Sequence, residues 1–423
     1  MTLQQADEKY LWHPYTQHKT AQAPIAISRG EGALLWDENG KEYIDAIASW
    51  WVNPFGHSNK FMADAIYEQL TTLEHVLFGG FTHEPAVRLA QKLIEILPSN
   101  QQKIFFSDNG STAVEVAIKV ALQYFYNKGE KRTTIIAFEN AFHGDTFAAM
   151  AASGISFYTQ AFEGMFIDVV RIPVPVSGKE QQSFDALDKI IRSHNVAGFI
   201  FEPLVQGAAG MVMYEPEPLD RLLEICKANN ILTIADEVMT GFGKTGKTFA
   251  CDYLKQQPDM ICLSKALTGG TIPMAITTFT QEIFDGFYSD DINKALFHGH
   301  TFTANPTGCA AAIASIDLLQ TNEMQQNIQR VNQRHQEFQK HVSKHPKVKT
   351  TRILGVIFAL EVTTSEDDSY YGTIRNKLYD FFIENGVIMR PVGNIVYILP
   401  PYIITDEHLN KIYKVIEEAL QIV

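Results

Sequence analysis

The chain has 423 residues, of which 46% are hydrophobic and 20% are charged. This composition fits a folded protein of about two or three domains and excludes a disordered chain. The 35 Lys and Arg residues against 48 Asp and Glu residues give a formal net charge of −13, which argues against a nucleic-acid partner.

The sequence lacks the features of a secreted or membrane protein. Its first residues, MTLQQADEKYLWHPYT, contain no basic and apolar signal segment, and no stretch reaches the roughly 18 apolar residues that span a bilayer. Four cysteines, Cys226, Cys251, Cys262 and Cys309, form no C-x-x-C pair, so we expect reduced and buried thiols. We therefore expect a cytoplasmic protein with no membrane partner.

The chain divides into three parts by pattern. Residues 1–54 contain short strand-like segments around a turn at 37–40. In residues 55–310, short apolar runs rich in β-branched residues alternate with helical patterns, which predicts an α/β domain with a mostly parallel sheet flanked by helices. The predicted strands are 103–106, 134–138, 196–201, 231–235 and 260–263, and the clearest helices are 111–126 and 219–229.

The last part, 311–423, predicts a smaller α+β domain. It begins with a long helical stretch that extends to about residue 345. Strand and helix patterns then alternate. The predicted strands are 355–362 and 395–399, and the predicted helices are 371–385 and 406–421.

The glycine-rich run 241–248, GFGKTGKT, matches both the dinucleotide-binding and the P-loop patterns. A P-loop needs a strand that leads directly into the first glycine, but Asp236 and Glu237 follow the strand here and would repel an anion. We therefore disfavour a P-loop nucleotide hydrolase that uses Lys247 and Thr248, which remains the alternative from a different class.

Asp236 and Lys265 each follow a predicted buried strand. Ligands of open α/β sheets bind at the carboxyl ends of the strands, and a buried acid there needs a cationic partner. Pyridoxal 5′-phosphate chemistry uses both groups, because the lysine forms a Schiff base with the aldehyde and the carboxylate keeps the pyridine nitrogen protonated. Taken alone, a lysine at position 265 would be better explained as a surface cation.

A phosphate site and an aromatic face would complete such a site. Residues 107–112, SDNGST, follow one predicted strand and open a helix whose N–H groups can hold a phosphate. The alternative is an ordinary N-cap by Ser111 with Glu115 nearby. Phe142 and His143 follow another strand, and Phe142 could cover the pyridine ring or belong simply to the core.

These residues resemble the class III, fold type I pyridoxal-phosphate aminotransferases over essentially the whole chain. The most specific stretch is 234–246, IADEVMTGFGKTG, followed at the family's spacing by 263–267, LSKAL. The resemblance implies a large cofactor-binding domain at 55–310 and a small domain at 311–423. Residues 1–54 would then belong to the small domain and to the wall of the active site.

Further segments are similar to family members that transfer the amino group of S-adenosylmethionine to 8-amino-7-oxononanoate in biotin biosynthesis. They are 11–16, 49–51, 78–83, 143–147, 265–270 and 399–404. Another class III ω-aminotransferase or aminomutase stays an alternative, and some enzymes of this type use lysine as the donor. A non-catalytic cofactor-binding protein is disfavoured, because it would need neither Lys265 nor Asp236.

The resemblance also implies roles for individual residues. Lys265 and Asp236 would be catalytic, and Thr301 would reach the phosphate of a partner subunit, which makes the protein a homodimer with shared sites. The implied cofactor-binding residues are Gly110, Ser111, Phe142, His143, Asp236, Lys265, His300 and Thr301. The implied substrate-binding residues are Tyr15, Trp50, Trp51, Phe142, Asp145, Lys265, Gly299, Arg390 and Tyr397.

Four of these positions carry a more specific expectation. Arg390 suits a substrate carboxylate, and the alternative is a surface cation. Asp145 suits a cationic donor, whereas relatives that use ornithine or γ-aminobutyrate tend to carry a basic residue there; the alternative is a helix cap. Phe142 and His300 depart from the tyrosine and proline of the family.

No metal site is predicted. His341 and His345 are four residues apart on a predicted helix, but neighbouring lysines favour a solvated face. His298 and His300 lack an evident third ligand.

Overall fold

The computed structural model describes residues 1–154, 156–370 and 372–423. The N-terminal part consists of short elements. They are α1 (Leu3–Tyr10), β1 (Ile27–Glu31), β2 (Leu34–Asp37), β3 (Glu42–Asp45) and the kinked turn α2 (Ala48–Trp51).

The central part alternates helices and strands, as predicted. Its elements are α3 (Lys60–Thr72), α4 (Glu84–Ile96), β4 (Gln101–Ser107), α5 (Gly110–Asn127), β5 (Thr134–Phe138), α6 (Phe147–Ala152), α7 (Ser156–Thr159), β6 (Val169–Ile172), α8 (Glu180–Ser193), β7 (Val196–Phe201), β8 (Val205–Gln206), β9 (Val212–Met213), α9 (Pro216–Ala228), β10 (Leu232–Asp236), β11 (Met260–Leu263), β12 (Ala275–Thr280), α10 (Gln281–Asp285) and α11 (Pro306–Leu319).

The C-terminal part mixes antiparallel strands with helices. Its elements are α12 (Asn322–Val342), β13 (Val348–Leu354), β14 (Ile357–Val362), α13 (Thr373–Glu384), β15 (Val387–Ile388), β16 (Ile395–Ile398) and α14 (Asp406–Ile422). The helix predicted at 371–385 therefore begins at Thr373, and residue 371 lies outside the described residues.

The large sheet has the strand order β4-β12-β11-β10-β7-β5-β6. Only β12 runs antiparallel to its neighbours, so the sheet is mostly parallel and the predicted α/β class is confirmed. Strands β7, β10 and β11 are adjacent, so their carboxyl ends meet at one edge of the sheet, where α/β proteins bind ligands.

The sequence patterns missed β12 because two threonines lie at its centre. Thr277 and Thr278 are fully buried. Their hydroxyls donate hydrogen bonds to the Ala113 carbonyl at 2.8 Å and to Gln101 Oε1 at 2.7 Å. A buried strand can therefore contain polar residues when each hydroxyl has a partner.

The described residues also form smaller sheets. Strands β13, β14 and β16 form an antiparallel sheet, and β1, β2 and β3 form another. β15 pairs with β3 in parallel, through Val387 opposite Ile44, and so joins the N-terminal residues to the C-terminal part.

All four cysteines are buried and free, as expected. None of the helices in the described ranges combines the length and apolarity needed to cross a membrane.

His335 on α12 is fully buried and makes hydrogen bonds to α14 and to the residue before β14. One ring nitrogen lies 2.8 Å from the Tyr413 hydroxyl on α14, and Nε2 lies 3.0 Å from the Val356 carbonyl oxygen. The carbonyl can only accept, so Nε2 donates and Nδ1 accepts from Tyr413. Burial lowers the pKa of His335 to about 4, and the ring is therefore neutral at pH 7.

His335 should make the protein less stable in acid. An unfolded histidine binds a proton below about pH 6.5, whereas the folded one resists until about pH 4, so stability is lost as the pH falls through this window. We expect the free energy of unfolding to fall by roughly 2 kcal/mol between about pH 7 and about pH 5 from this group. Urea unfolding should show this loss in wild type and in the exposed control His341→Gln, but not in His335→Gln. An equal loss in all three proteins would contradict the assignment.

Candidate active site

A cavity of ≈ 530 Å³ opens at the edge of the large sheet where β7, β10 and β11 end. Of the predicted cofactor and substrate residues, seven line it. They are Trp51, Gly110, Ser111, Phe142, His143, Asp236 and Lys265.

Asp236 ends β10 and is 4% exposed. One carboxylate oxygen lies 2.7 Å from His143 Nδ1, and the other accepts the Val238 N–H at 3.1 Å. His143 Nε2 is buried and has no hydrogen-bond partner among the described residues. The pair of Asp236 and His143 thus places a buried carboxylate beside the cavity, where it can bind a protonated ring nitrogen of a ligand.

Lys265 follows β11 in an unusual backbone conformation, with a φ of 48°. Such strain persists only where the surroundings enforce it. Here Ser264 Oγ donates to the Met274 carbonyl at 2.8 Å, and Ser315 Oγ donates to the Ala266 carbonyl at 2.8 Å. These two bonds fix the chain on both sides of the lysine.

The amine of Lys265 lies 5.0 Å from the centre of the Trp51 ring. Burial lowers the pKa of Lys265, although the negative charges of Asp236 and Glu202 act in the opposite direction. A lowered pKa increases the fraction of neutral amine, which is the nucleophilic and basic form.

The first turn of α5 faces the same cavity. Asn109, not Ser111, is its N-cap, since its side chain accepts the Thr112 N–H at 3.0 Å. The alternative that Ser111 caps the helix is therefore wrong. Ser111 Oγ instead accepts the Asp145 N–H at 3.1 Å, which fixes the loop after β5 against the helix end.

Gly144 allows this close approach. Its φ is +127°, and a Cβ atom there would lie 2.1 Å from Ser111 Oγ. No residue other than glycine combines this φ with this contact. The positive helix end, the Ser111 side chain and a tightly packed loop together fit a bound phosphate group.

A second group of predicted residues forms an aromatic wall beside the cavity. The Tyr15 hydroxyl donates to Asp145, and the Tyr15 ring lies 5.7 Å from Trp50 and 5.4 Å from Tyr158. The guanidinium of Arg390 lies 4.8 Å from the centre of the Trp50 ring. The Asp145 carboxylate and the Arg390 guanidinium thus lie against the same aromatic wall.

The tryptophan turn that carries this wall is held by a buried acid. Asp45 is fully buried and accepts the N–H groups of Ile47 at 3.1 Å and Ser49 at 2.6 Å. Trp51 packs against Tyr397 with ring centres 6.0 Å apart.

Asp145 does not cap the helix that follows it. Thr146 is the N-cap residue of α6, and Glu115 Oε1 accepts the Ala148 N–H of its first turn at 2.7 Å. The alternative that Asp145 caps this helix is therefore wrong. Its carboxylate instead accepts a hydrogen bond from the Tyr15 hydroxyl in the aromatic wall.

Three further predicted residues belong neither to the cavity lining nor to the aromatic wall. Gly299 and Thr301 are exposed, and His300 Nδ1 lies 3.3 Å from Asp108 Oδ2. His300 also contacts His298, with 3.0 Å between their Nε2 atoms.

The glycine-rich run does not form a phosphate loop. Lys244 is 1% exposed, and its Nζ lies 3.5 Å from the Gly241 carbonyl oxygen. Lys247 Nζ donates to the Asp252 carbonyl at 2.8 Å and lies over the Tyr253 ring. The nucleotide hydrolase alternative is therefore wrong.

Several residues of the site were not predicted, and two of them contact predicted residues. Glu202 follows β7 and lines the cavity, and Tyr158 packs against both Tyr15 and Phe142. Glu202 carries the same signal as Asp236, an acid directly after a buried strand. No comparable signal marks Tyr158, which lies in the short helix α7.

Comparison with known proteins gives consistent results. The family model described as aminotransferase class-III matches residues 15–420. The adenosylmethionine-8-amino-7-oxononanoate aminotransferase of Synechococcus elongatus is 45% identical over 97% of this chain and 98% of its own. The enzyme of the same name from Geobacter sulfurreducens is 36% identical over 100% of this chain and 98% of its own.

Solved structures agree with these relatives. The crystal structure of adenosylmethionine-8-amino-7-oxononanoate aminotransferase from Methanocaldococcus jannaschii has a TM-score of 0.93 and 33% identity, and the match covers 99% of this chain and 98% of that one. An omega transaminase from Pseudomonas jessenii in complex with PMP has a TM-score of 0.92 and 28% identity, covering 100% and 98%.

The Gly144 contact gives a test of the phosphate site. Gly144→Ala should weaken binding of pyridoxal phosphate at least about tenfold, because the new Cβ must displace Ser111. Equilibrium dialysis of the purified proteins measures this affinity. Gly164→Ala is the matched control, since Gly164 has a φ of +87° but nothing within 4 Å of its added Cβ. Equal affinities in the two variants would show that the contact does not shape the site.

Proposed function

The chain belongs to the pyridoxal-phosphate-dependent class III aminotransferases, and we propose that it transfers the amino group of S-adenosylmethionine to 8-amino-7-oxononanoate. The observation that carries the proposal is the full-length similarity, 45% identity over 97% of the chain, to a relative named for these two substrates. The product of this transfer is 7,8-diaminononanoate, an intermediate of biotin biosynthesis.

Pyridoxal phosphate, when bound, supplies an aldehyde that reacts with amines and a ring that accepts electrons. The buried carboxylate of Asp236, held by His143, would keep a proton on the ring nitrogen. Lys265 would hold the aldehyde of the cofactor and would serve as the base at the reacting substrate carbon, since burial favours its neutral amine. Ser111 and the start of α5 would hold the phosphate, and Phe142 would contact the ring.

The aromatic wall suits the two substrates. Arg390 can bind a substrate carboxylate through its planar fork, and its position over Trp50 orients the guanidinium. Asp145 provides a negative charge for the sulfonium or amino group of the donor. The rings of Tyr15, Trp50 and Trp51 can pack along the aliphatic chain of the acceptor and attract a cation.

We also propose a homodimer with shared sites, in which Gly299, His300 and Thr301 of one subunit reach the phosphate site of the other. In support, this loop lies outside its own cavity and exposes large apolar side chains. Phe297 is 71% exposed and Phe302 is 59% exposed. Large apolar side chains exposed on one loop are typical of subunit interfaces.

The domain division and the location are part of the same proposal. Residues 1–54 would complete the small domain 311–423, supported by the pairing of β3 with β15, while 55–310 would carry the cofactor. A cytoplasmic location is supported by the four buried, free cysteines, which suit a reducing compartment.

Separate half-reactions test the proposed substrates. The holoenzyme is mixed with S-adenosylmethionine, lysine, ornithine or γ-aminobutyrate, and the visible absorption of the cofactor is followed. We expect S-adenosylmethionine alone to bleach this absorption and 8-amino-7-oxononanoate to restore it. Bleaching by another donor, without restoration by 8-amino-7-oxononanoate, would indicate another ω-aminotransferase or an aminomutase.

Arg390→Ala refines the same experiment. The KM for 8-amino-7-oxononanoate should rise about tenfold or more, while the rate of bleaching by S-adenosylmethionine changes no more than about twofold. Arg390→Lys keeps the charge but loses the fork, so its KM should be intermediate. Equal losses in both half-reactions would make Arg390 a structural residue.

A further inference from the structure

Glu202 connects two loops of the active site. It follows β7 and is 5% exposed. Its Oε2 accepts the Phe142 N–H at 3.1 Å, and its Oε1 accepts the Gly207 N–H at 3.0 Å. Phe142 belongs to the loop after β5, whereas Gly207 belongs to the connection between β8 and β9. One carboxylate therefore uses both oxygens to join two segments that have no sequence proximity.

The Gly207 loop extends this connection to the base of the cavity. A Cβ atom at Gly207 would lie 3.1 Å from the Trp51 ring, so the loop packs directly on that side chain. The Lys265 amine lies over the same ring, 5.0 Å from its centre. A continuous series of contacts thus runs from Phe142 through Glu202 and Gly207 to Trp51 and Lys265.

Glu202 also affects the charges of the site. The titratable groups that interact with it are His143, Asp236, Lys265 and Tyr214. Burial raises the pKa of Glu202 to about 7, and the negative charge of Asp236 acts in the same direction, while His143 opposes it. When ionised, Glu202 raises the pKa of Lys265 and offsets part of the effect of burial.

We propose that Glu202 is a positioning residue for amino transfer, which fixes the loop carrying Phe142 and adjusts the charge experienced by Lys265. The proposal rests on the pyridoxal-phosphate chemistry of the family and is independent of which donor and acceptor are correct. Glu202 touches backbone groups of the site and acts through Phe142 and Lys265.

Three variants of the holoenzyme separate these effects. Glu202→Gln keeps the size but removes the charge and one acceptor, so an N–H group of Phe142 or Gly207 loses its partner. Glu202→Asp keeps the charge but is too short to reach both N–H groups. Glu139→Gln is the control, because Glu139 is exposed and lies in the same loop as Phe142.

The first measurement is hydrogen exchange of the Phe142 and Gly207 amides. At least one of the two amides should exchange about tenfold faster in each Glu202 variant, and both should stay unchanged in Glu139→Gln. The second is the pH at which the visible absorption of the holoenzyme changes, which reports the charge near Lys265. Its midpoint should fall by about 0.5 unit or more in Glu202→Gln and stay near the wild-type value in Glu202→Asp.

Steady-state kinetics completes the test. In Glu202→Gln, kcat should fall about tenfold or more while both KM values change less than about threefold, since Glu202 does not contact substrate. Unchanged amide exchange or an unchanged pH midpoint in Glu202→Gln overturns the proposal. If Glu202→Gln fails to fold, unchanged exchange or an unchanged kcat in Glu202→Asp overturns it. Failure of the proposed substrates would leave the exchange and absorption measurements intact, so the two failures are distinguishable.

Discussion

The candidate active site depends on a carboxylate that the fold buries at the end of a central strand. Asp236 is 4% exposed and is held by His143 at 2.7 Å and by a backbone N–H at 3.1 Å. An isolated buried carboxylate costs several kcal/mol, so its burial requires partners. The fold supplies them, because β11 lies beside β10 and brings Lys265 to the same edge of the sheet, while the loop after β5 brings His143.

Local strain in the site is held by packing. Lys265 has a φ of 48°, and the hydrogen bonds of Ser264 and Ser315 fix the chain on both sides of it, whereas Gly144 adopts its φ of +127° without strain because it has no Cβ. Strained conformations of this kind are stable only when several contacts enforce them. These conformations place two parts of the site. The Lys265 amine lies over the Trp51 ring, and the loop after β5 lies against the N-terminal end of α5, which suits a phosphate.

Much of this arrangement is predictable from sequence. Apolar runs give β5, β7, β10 and β11, and an acid or lysine after such a strand indicates the edge where ligands bind. The same rule would have identified Glu202. By contrast, β12 contains buried threonines whose partners come from distant residues, so its pattern does not reveal a strand.

Long-range contacts set the limit of such prediction. Tyr15 meets Asp145 across 130 positions of sequence, and no local pattern encodes that pairing. The choice of Asn109 over Ser111 as helix cap depends on backbone geometry at one residue. The role proposed for Thr301 involves a second subunit, which the periodicity of one chain does not describe.

The central claim is that Asp236 keeps the ring nitrogen of the cofactor protonated. The most direct test is the ¹⁵N chemical shift of this nitrogen in holoenzyme prepared with ¹⁵N-labelled pyridoxal phosphate, compared between wild type and Asp236→Asn. We predict a protonated nitrogen from about pH 6 to about pH 9 in wild type and an unprotonated nitrogen in the variant. An unprotonated nitrogen in the wild-type enzyme would contradict the account.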